Sequence, residues 1–217
     1  MPHNSRDPKT QTPKGLSRRG FIKGAGMSAA GTILLDGGLV GMAQAQARAG
    51  QAEVIGPGLV LLTLQINGQP RQVRVLPCTT LAEALRDELD MTGTKVVCDR
   101  GACSACTVHL DGTPVCSCMT LAVDVGDRHV KTIEGVAQGE HLHPVQEAFI
   151  EHDASQCGFC TPGMIMSCVA LLDRNPHPTP DDVRNAVRGN LCRCGTYPKI
   201  FDAVTAAAKV AAPKNGG

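Results

Sequence analysis

The sequence predicts an α+β fold: a small sheet built from hairpins, followed by four short helices. Three observations predict it. Apolar and polar residues alternate on either side of Asn67-Gly68 and of Asp111-Gly112, which reads as two hairpins. After Gly139 that alternation gives way to a helical period. Eleven cysteines stand against four Phe, one Tyr and no Trp, so a core lacking aromatic area calls for cross-links of another kind. Hydrophobic residues at 42% and charged residues at 19% describe a globular chain. A net charge of +1 gives none of the basic excess of a nucleic-acid binder.

Residues 1–45 read as an address rather than a fold. Residues 1–23 carry six Lys or Arg and one acid, and they contain Ser17-Arg18-Arg19-Gly20-Phe21-Ile22-Lys23. A Gly/Ala-rich, weakly apolar stretch runs from Gly24 to about Met42, and Ala43-Gln44-Ala45 offers a cleavage site. The paired arginines give this the form of a twin-arginine signal, which predicts periplasmic localisation. The stretch is too short and too polar for a transmembrane span, and Asp36 interrupts it. Residues 46–59 are small, polar and punctuated by Pro and Gly, as in a linker.

From residue 60 each element has its own signal. Leu62 to Ile66 and Gln72 to Val75 are strands about the Asn67-Gly68 turn. Thr80-Leu81-Ala82-Glu83 is a capping box opening a helix over about 81–90. A cysteine-rich loop fills 98–106, and Thr107–Leu110 pairs with Thr113–Cys118 across Asp111-Gly112. Beyond Gly139, Pro144 opens a helix burying Val145, Ala148 and Phe149. Thr161-Pro162 caps one burying Ile165, Met166, Val169 and Leu172. Thr179-Pro180-Asp181-Asp182 starts a third with acids at its positive end, and Phe201 to Val210 is a fourth. The domains are therefore expected at 60–136 and 140–211.

Two cysteine sets carry the chemistry. Cys98-x4-Cys103-x2-Cys106, with a later cysteine closing the cage, has plant-type [2Fe–2S] spacing, so the first domain is expected to be a plant-type ferredoxin-like (β-grasp) unit. Gly101 lets the loop turn its amides toward the sulfurs. Cys116 and Cys118 lie two apart on the expected strand, and either could reach the cluster. The second set is Cys157-x2-Cys160 and Cys192-x-Cys194, separated by 31 residues. Zinc usually takes pairs spaced two to four residues apart in both halves, and a disulfide framework has no need of this spacing. Cys157-Gly158-Phe159-Cys160 alone could be a redox pair, but it lacks a preceding βαβ pattern. The remaining Cys78, Cys116 and Cys168 read as small buried hydrophobes, Met164 and Met166 as core or interface filler, and His141 and His143 as capping or solvated residues.

Beyond the spacing, whole blocks carry a resemblance. They are Gly93-Thr94-Lys95, Cys98-Asp99-Arg100-Gly101, Ala105-Cys106-Thr107-Val108, Ser117-Cys118-Met119-Thr120-Leu121-Ala122 and Thr132-Ile133-Glu134-Gly135. His143-Pro144-Val145-Gln146, Gln156-Cys157-Gly158-Phe159-Cys160-Thr161-Pro162-Gly163 and Gly189-Asn190-Leu191-Cys192-Arg193-Cys194-Gly195-Thr196-Tyr197 follow. From about 60 to 210 the chain resembles the iron–sulfur subunit of the molybdenum hydroxylases, the xanthine oxidase and aldehyde oxidoreductase family, and in overall form their periplasmic aldehyde oxidoreductases.

The resemblance implies an outer [2Fe–2S] cluster on Cys98, Cys103, Cys106 and Cys118, where the Ser-Cys-Met-Thr-Leu-Ala context selects Cys118. It implies an inner cluster on Cys157, Cys160, Cys192 and Cys194 in a helical [2Fe–2S]-binding domain. Gln156 and Cys194 would lie nearest a molybdopterin held by a large partner subunit. No catalytic residue is expected in this chain, which would pass electrons from that partner to an FAD-binding subunit or a c-type cytochrome. The implied reaction is aldehyde oxidation to carboxylate; hydroxylation of an N-heterocycle is the alternative, and a stand-alone ferredoxin-like carrier would leave the second domain without purpose. Two departures stand out: Ser104 where such chains usually have Gly, and Val97 where they often do.

Overall fold

A computed structural model describes residues 56–211, all within one compact unit spanning Ile55–Gly217. The expected signal and most of the linker lie outside the described residues. The sheet has five strands: β1 (Val60–Ile66), β2 (Gln69–Val75), β3 (Thr107–Leu110), β4 (Thr113–Cys116) and β5 (His129–Lys131). Their order is β2-β1-β5-β3-β4, with β1 and β5 parallel and every other pair antiparallel. This is the expected small sheet of hairpins with one strand more, β5, which makes it mixed.

Both hairpin turns place Asn67 and Asp111 at positive φ (51° and 47°) ahead of Gly68 and Gly112 (78° and 76°), the two-residue turn that suits strand twist. The same residues hold β5. Asn67 Oδ1 accepts from the Thr132 amide at 2.9 Å, and Asp111 Oδ1 accepts from the His129 amide at 2.9 Å. One core lies on the sheet, with Leu64, Ile66, Val73, Val75, Val108 and Val130 closing over Leu81 and Leu85.

The expected helix over 81–90 is shorter and changes its winding. The Thr80–Glu83 capping box forms, α1 (Leu81–Glu83) follows, and the chain widens into a π-helical turn over Ala84–Glu88. The expected strand to Cys118 also ends early: β4 stops at Cys116, and Ser117–Met119 is a 3₁₀ turn. Cys118 therefore projects from a turn, so strand alternation does not set its direction.

Four helices follow: α2 (Pro144–Glu151), α3 (Thr161–Arg174), α4 (Pro180–Val187) and α5 (Tyr197–Ala211). The last begins ahead of the expected Phe201. His143 caps α2, its Nδ1 accepting from the Val145 amide at 3.2 Å, while Gln146 Oε1 accepts from the His143 amide at 3.0 Å. Thr179 and Asp182 form the corresponding box on α4. A second core joins these helices through Val145, Phe149, Met164, Met166, Val169, Val183, Ile200 and Val204. Among the described residues no helix is long and apolar enough to cross a membrane.

Candidate metal centres

Polar contacts position the loop that enters the first cysteine set. Arg86 Nη1 donates to the carbonyls of Thr92 and Thr94 at 3.0 and 2.8 Å. The Gly93 amide donates to Glu134 Oε1 at 2.8 Å, and a Cβ on Gly93 would stand 2.5 Å from Ile133 Cγ2. The loop then coils tightly, with Asp99, Gly101 and Ser104 at φ 50°, 70° and 53°. That coil brings the Ala102 amide to within 3.3 Å of Cys98 Sγ as a donor. The amide of Arg100, and after it the Cys103 thiol, draw the Cys98 thiol down to about 7. Cys103, Cys106 and Cys118 are buried and Cys98 half-buried. Burial, with Cys106 alongside, pushes the Cys118 thiol up to about 12.

The second set gathers between helix ends. Cys157 and Cys160 occupy the turn that enters α3, shaped by Gly158 at φ 79°. Cys192 and Cys194 occupy the segment between α4 and α5. Tyr197 holds that segment: its hydroxyl donates to the Asn190 carbonyl at 2.9 Å and accepts from the Cys192 amide at 2.8 Å. The Phe159 amide, then Cys194, lower the Cys157 thiol. Burial, then Cys192, pushes Cys160 up to about 12. Burial also acts upward on Cys192, but the Thr196 hydroxyl and amide and the Cys160 thiol outweigh it and bring it to about 7. Gln156, Cys157 and Cys194 are exposed.

One seam brings the two sets together. The Leu191 amide donates to the Cys103 carbonyl at 3.0 Å. Asn190 Nδ2 donates to the Ser104 carbonyl at 3.0 Å, while its Oδ1 accepts from Ser167 Oγ at 2.9 Å. Gly163 of α3 lies so close that a Cβ there would meet the carbonyl oxygens of Ser104 and Ala105 at 2.4 and 2.7 Å. A cavity of about 550 Å³ opens at this seam, lined by Cys98 and Cys103 from one set and by Cys157, Cys160 and Cys192 from the other. Val97, Phe159 and Leu191, each more than half exposed, surround it.

Within each set the foremost thiol contacts run Cys98 to Cys103, Cys106 to Cys118, Cys157 to Cys194 and Cys160 to Cys192, with Cys116 also beside Cys106. Among the described residues no three His, Cys, Asp or Glu converge on a point that one ion would fill. Two pairs per set fit a binuclear centre, in which four cysteine thiolates divide between two irons. The amide donors at Cys98 and Cys157 supply the hydrogen bonds that such sulfurs accept.

Every sequence-predicted ligand thus lies in one of two groups. Sequence reasoning gave no role to Ser167 or to the Thr196 hydroxyl, and left Asn190 and Tyr197 as members of a motif. That Tyr197 is the chain's one tyrosine, beside a cysteine pair, was the available signal. Of the three cysteines read as buried hydrophobes, Cys168 is buried and Cys116 partly so, but Cys78 is exposed, on the turn after β2.

Known proteins share this arrangement. Residues 64–132 match the 2Fe-2S iron-sulfur cluster binding domain, and residues 132–205 match the [2Fe-2S] binding domain. The nicotinate dehydrogenase small FeS subunit of Eubacterium barkeri is 42% identical over 145 residues, covering 67% of this chain and 92% of that one. The aldehyde oxidoreductase iron-sulfur-binding subunit PaoA of Escherichia coli is 38% identical over 208 residues, covering 89% and 88%. The crystal structure of quinoline 2-oxidoreductase from Pseudomonas putida 86 superposes with a TM-score of 0.68 at 45% identity, over 70% of this chain and 95% of that one. Two consecutive [2Fe–2S] domains with near full-length matches of this kind place the chain among the iron–sulfur small subunits of the xanthine oxidase family of molybdenum hydroxylases, the electron-carrying members of those oxidoreductases.

Proposed function

We propose that this chain is the exported electron-transfer subunit of a periplasmic molybdenum hydroxylase that oxidises aldehydes to carboxylates. One observation supports this reading: the alignment with PaoA covers 89% of the chain, so it necessarily extends into the segment before Gly56. The nicotinate relative stops at 67%.

In this reading Cys98, Cys103, Cys106 and Cys118 hold the outer cluster, and Cys157, Cys160, Cys192 and Cys194 the inner one. When bound, the two clusters supply one-electron carriers that link the molybdenum of a large partner to a final acceptor, either an FAD-binding subunit or a c-type cytochrome. The placement of the chain's own residues supports this order. Gln156, Cys157 and Cys194 are exposed together, beside Phe159 and Leu191, which gives the inner set a face for the molybdopterin-binding partner. The seam through Asn190 and Leu191 holds the outer set at a fixed distance behind it.

A second reading, an N-heterocycle hydroxylase, draws on the higher identity to the nicotinate enzyme. Purifying the chain together with its large partner, then assaying an aromatic aldehyde beside nicotinate, separates the two. Oxidation of the aldehyde supports the first reading, and turnover of nicotinate alone overturns it. Replacing Arg18 and Arg19 with Lys is expected to retain the chain in the cytoplasm; unchanged export would overturn the location.

A further inference from the structure

The two sets of four leave Cys116 over, yet its surroundings are those of a ligand. It closes β4 opposite Thr107 and packs with Val96 against Ala82, Cys106 and Cys118. Its thiol has Cys106 as a neighbour, as Cys118 does. Its Sγ lies 3.9 Å from the Gly101 carbonyl oxygen, and the amide of that same loop residue serves Cys118. Cys116 and Cys118 thus address one sulfur and one turn of the loop.

The other atypical residue faces it. Ser104 takes φ 53°, a conformation that strains a residue with a Cβ and that glycine adopts freely. Its hydroxyl oxygen lies 3.8 Å from Cys116 Sγ. A serine at the position where a glycine is usual therefore supplies the polar partner of a cysteine that the cluster spacing does not require.

We propose that Cys116 is a reserve ligand of the outer cluster, able to take the place of Cys118 at iron. The inference rests on the assignment of Cys98, Cys103, Cys106 and Cys118 to that cluster. In the exchange the Cys116 thiol releases its proton and binds as thiolate, while the displaced Cys118 thiolate takes up a proton. One iron–sulfur bond forms, one breaks, and no electron moves. The backbone favours it, because a single residue, Ser117, separates the two cysteines. The 3₁₀ turn that must loosen is held by a long bond from the Thr120 amide to the Ser117 carbonyl (3.4 Å) and another from Thr120 Oγ1 to the Cys116 carbonyl (3.2 Å). The Ser117 hydroxyl, donating to the Cys106 carbonyl at 2.7 Å, keeps the segment against the cage during the exchange.

The test uses the full chain loaded with iron and sulfide under anaerobic conditions, reading iron per chain and the paramagnetic resonance spectrum after dithionite reduction. Cys116→Ala is expected to match wild type. Cys118→Ala is expected to keep the wild-type iron content with an altered outer-cluster signal. The double variant is expected to lose iron about twofold and keep the inner signal alone. Cys118→Ala that loses iron as fully as the double variant, with the inner signal intact, overturns the reserve role. Cys116→Ala that alone halves the iron overturns the assignment of Cys118 itself. Cys118→Ser, compared with and without Cys116, gives the same reading should the alanine variant fail to fold.

Discussion

The Leu191 amide donates a hydrogen bond to the Cys103 carbonyl at 3.0 Å. Leu191 precedes Cys192 directly, so one hydrogen bond joins the backbones of the two thiol sets within a residue of a cysteine on each side. The neighbouring contact from Asn190 to Ser104 repeats the link, and the close approach of Gly163 excludes side chains from the joint. The two halves of the molecule meet here through closely packed, hydrogen-bonded backbone.

Asn190 is almost fully buried and bridges Ser104 to Ser167. Asn190→Ala leaves the buried Ser167 hydroxyl without its partner and removes one of the donors to the Ser104 carbonyl, which Thr107 still serves, a loss of about 2 kcal/mol. The thermal midpoint is expected to fall by roughly 4–8 °C, read by the loss of visible absorbance on heating.

Gly163→Ala places a Cβ against two backbone carbonyls that have no freedom to rotate away. Overpacking of this kind costs about 1–3 kcal/mol, and here it pushes the first set's loop off α3. Lowered chemical stability, with a disturbed outer-cluster spectrum, is the expected outcome. Gly58→Ala, which meets nothing within 4 Å, serves as the tolerated control.

His109 is buried on β3, and its Nε2 lies 2.8 Å from the Met166 carbonyl oxygen on α3, where the neutral ring's N–H donates. Burial lowers its pKa from the ordinary value near 6.5, with Lys131 and Arg174 acting the same way and the Met166 carbonyl and Asp173 opposing. The unfolded chain therefore binds the proton more readily than the folded one. This contribution to stability is complete above about pH 6.5 and is lost as pH falls toward the lowered folded value. His109→Gln keeps a donor without the titration, so its urea midpoint is expected to fall less than that of wild type between pH 7 and pH 5.

Cys194 is exposed, as is Gln156, and both belong to the face proposed for the large partner. Cys194→Ser is expected to cut steady-state turnover of the assembled enzyme at least tenfold while leaving the outer-cluster signal unchanged. Turnover at the wild-type rate with the native partner would remove this cysteine from the path.

Much of this was legible because its signals are local. Asn67-Gly68 and Asp111-Gly112 dictate their turns through φ, Thr80 and Glu83 their cap through neighbouring hydrogen bonds, and cysteine spacing the two loops. What was missed depends on distant partners. β5 is three residues long, too short for an alternation, and exists because Asn67, Asp111 and β1 receive it. The early end of β4 follows from the Ser117 hydroxyl turning back to Cys106, a contact set by the fold around the cage. The pairing of the Cys157 and Cys194 thiols across the 36 residues between them, and the seam through Asn190, Ser167 and Ser104, likewise need the folded chain before they can be seen.

The central claim is that this one chain holds two different [2Fe–2S] centres. Paramagnetic resonance of the dithionite-reduced chain, with spin quantitation, tests it most directly. Two distinguishable rhombic or axial signals that together integrate to about two spins per chain are predicted. A colourless chain that carries zinc, or a single signal that disappears wholly when either set loses a cysteine, would contradict it.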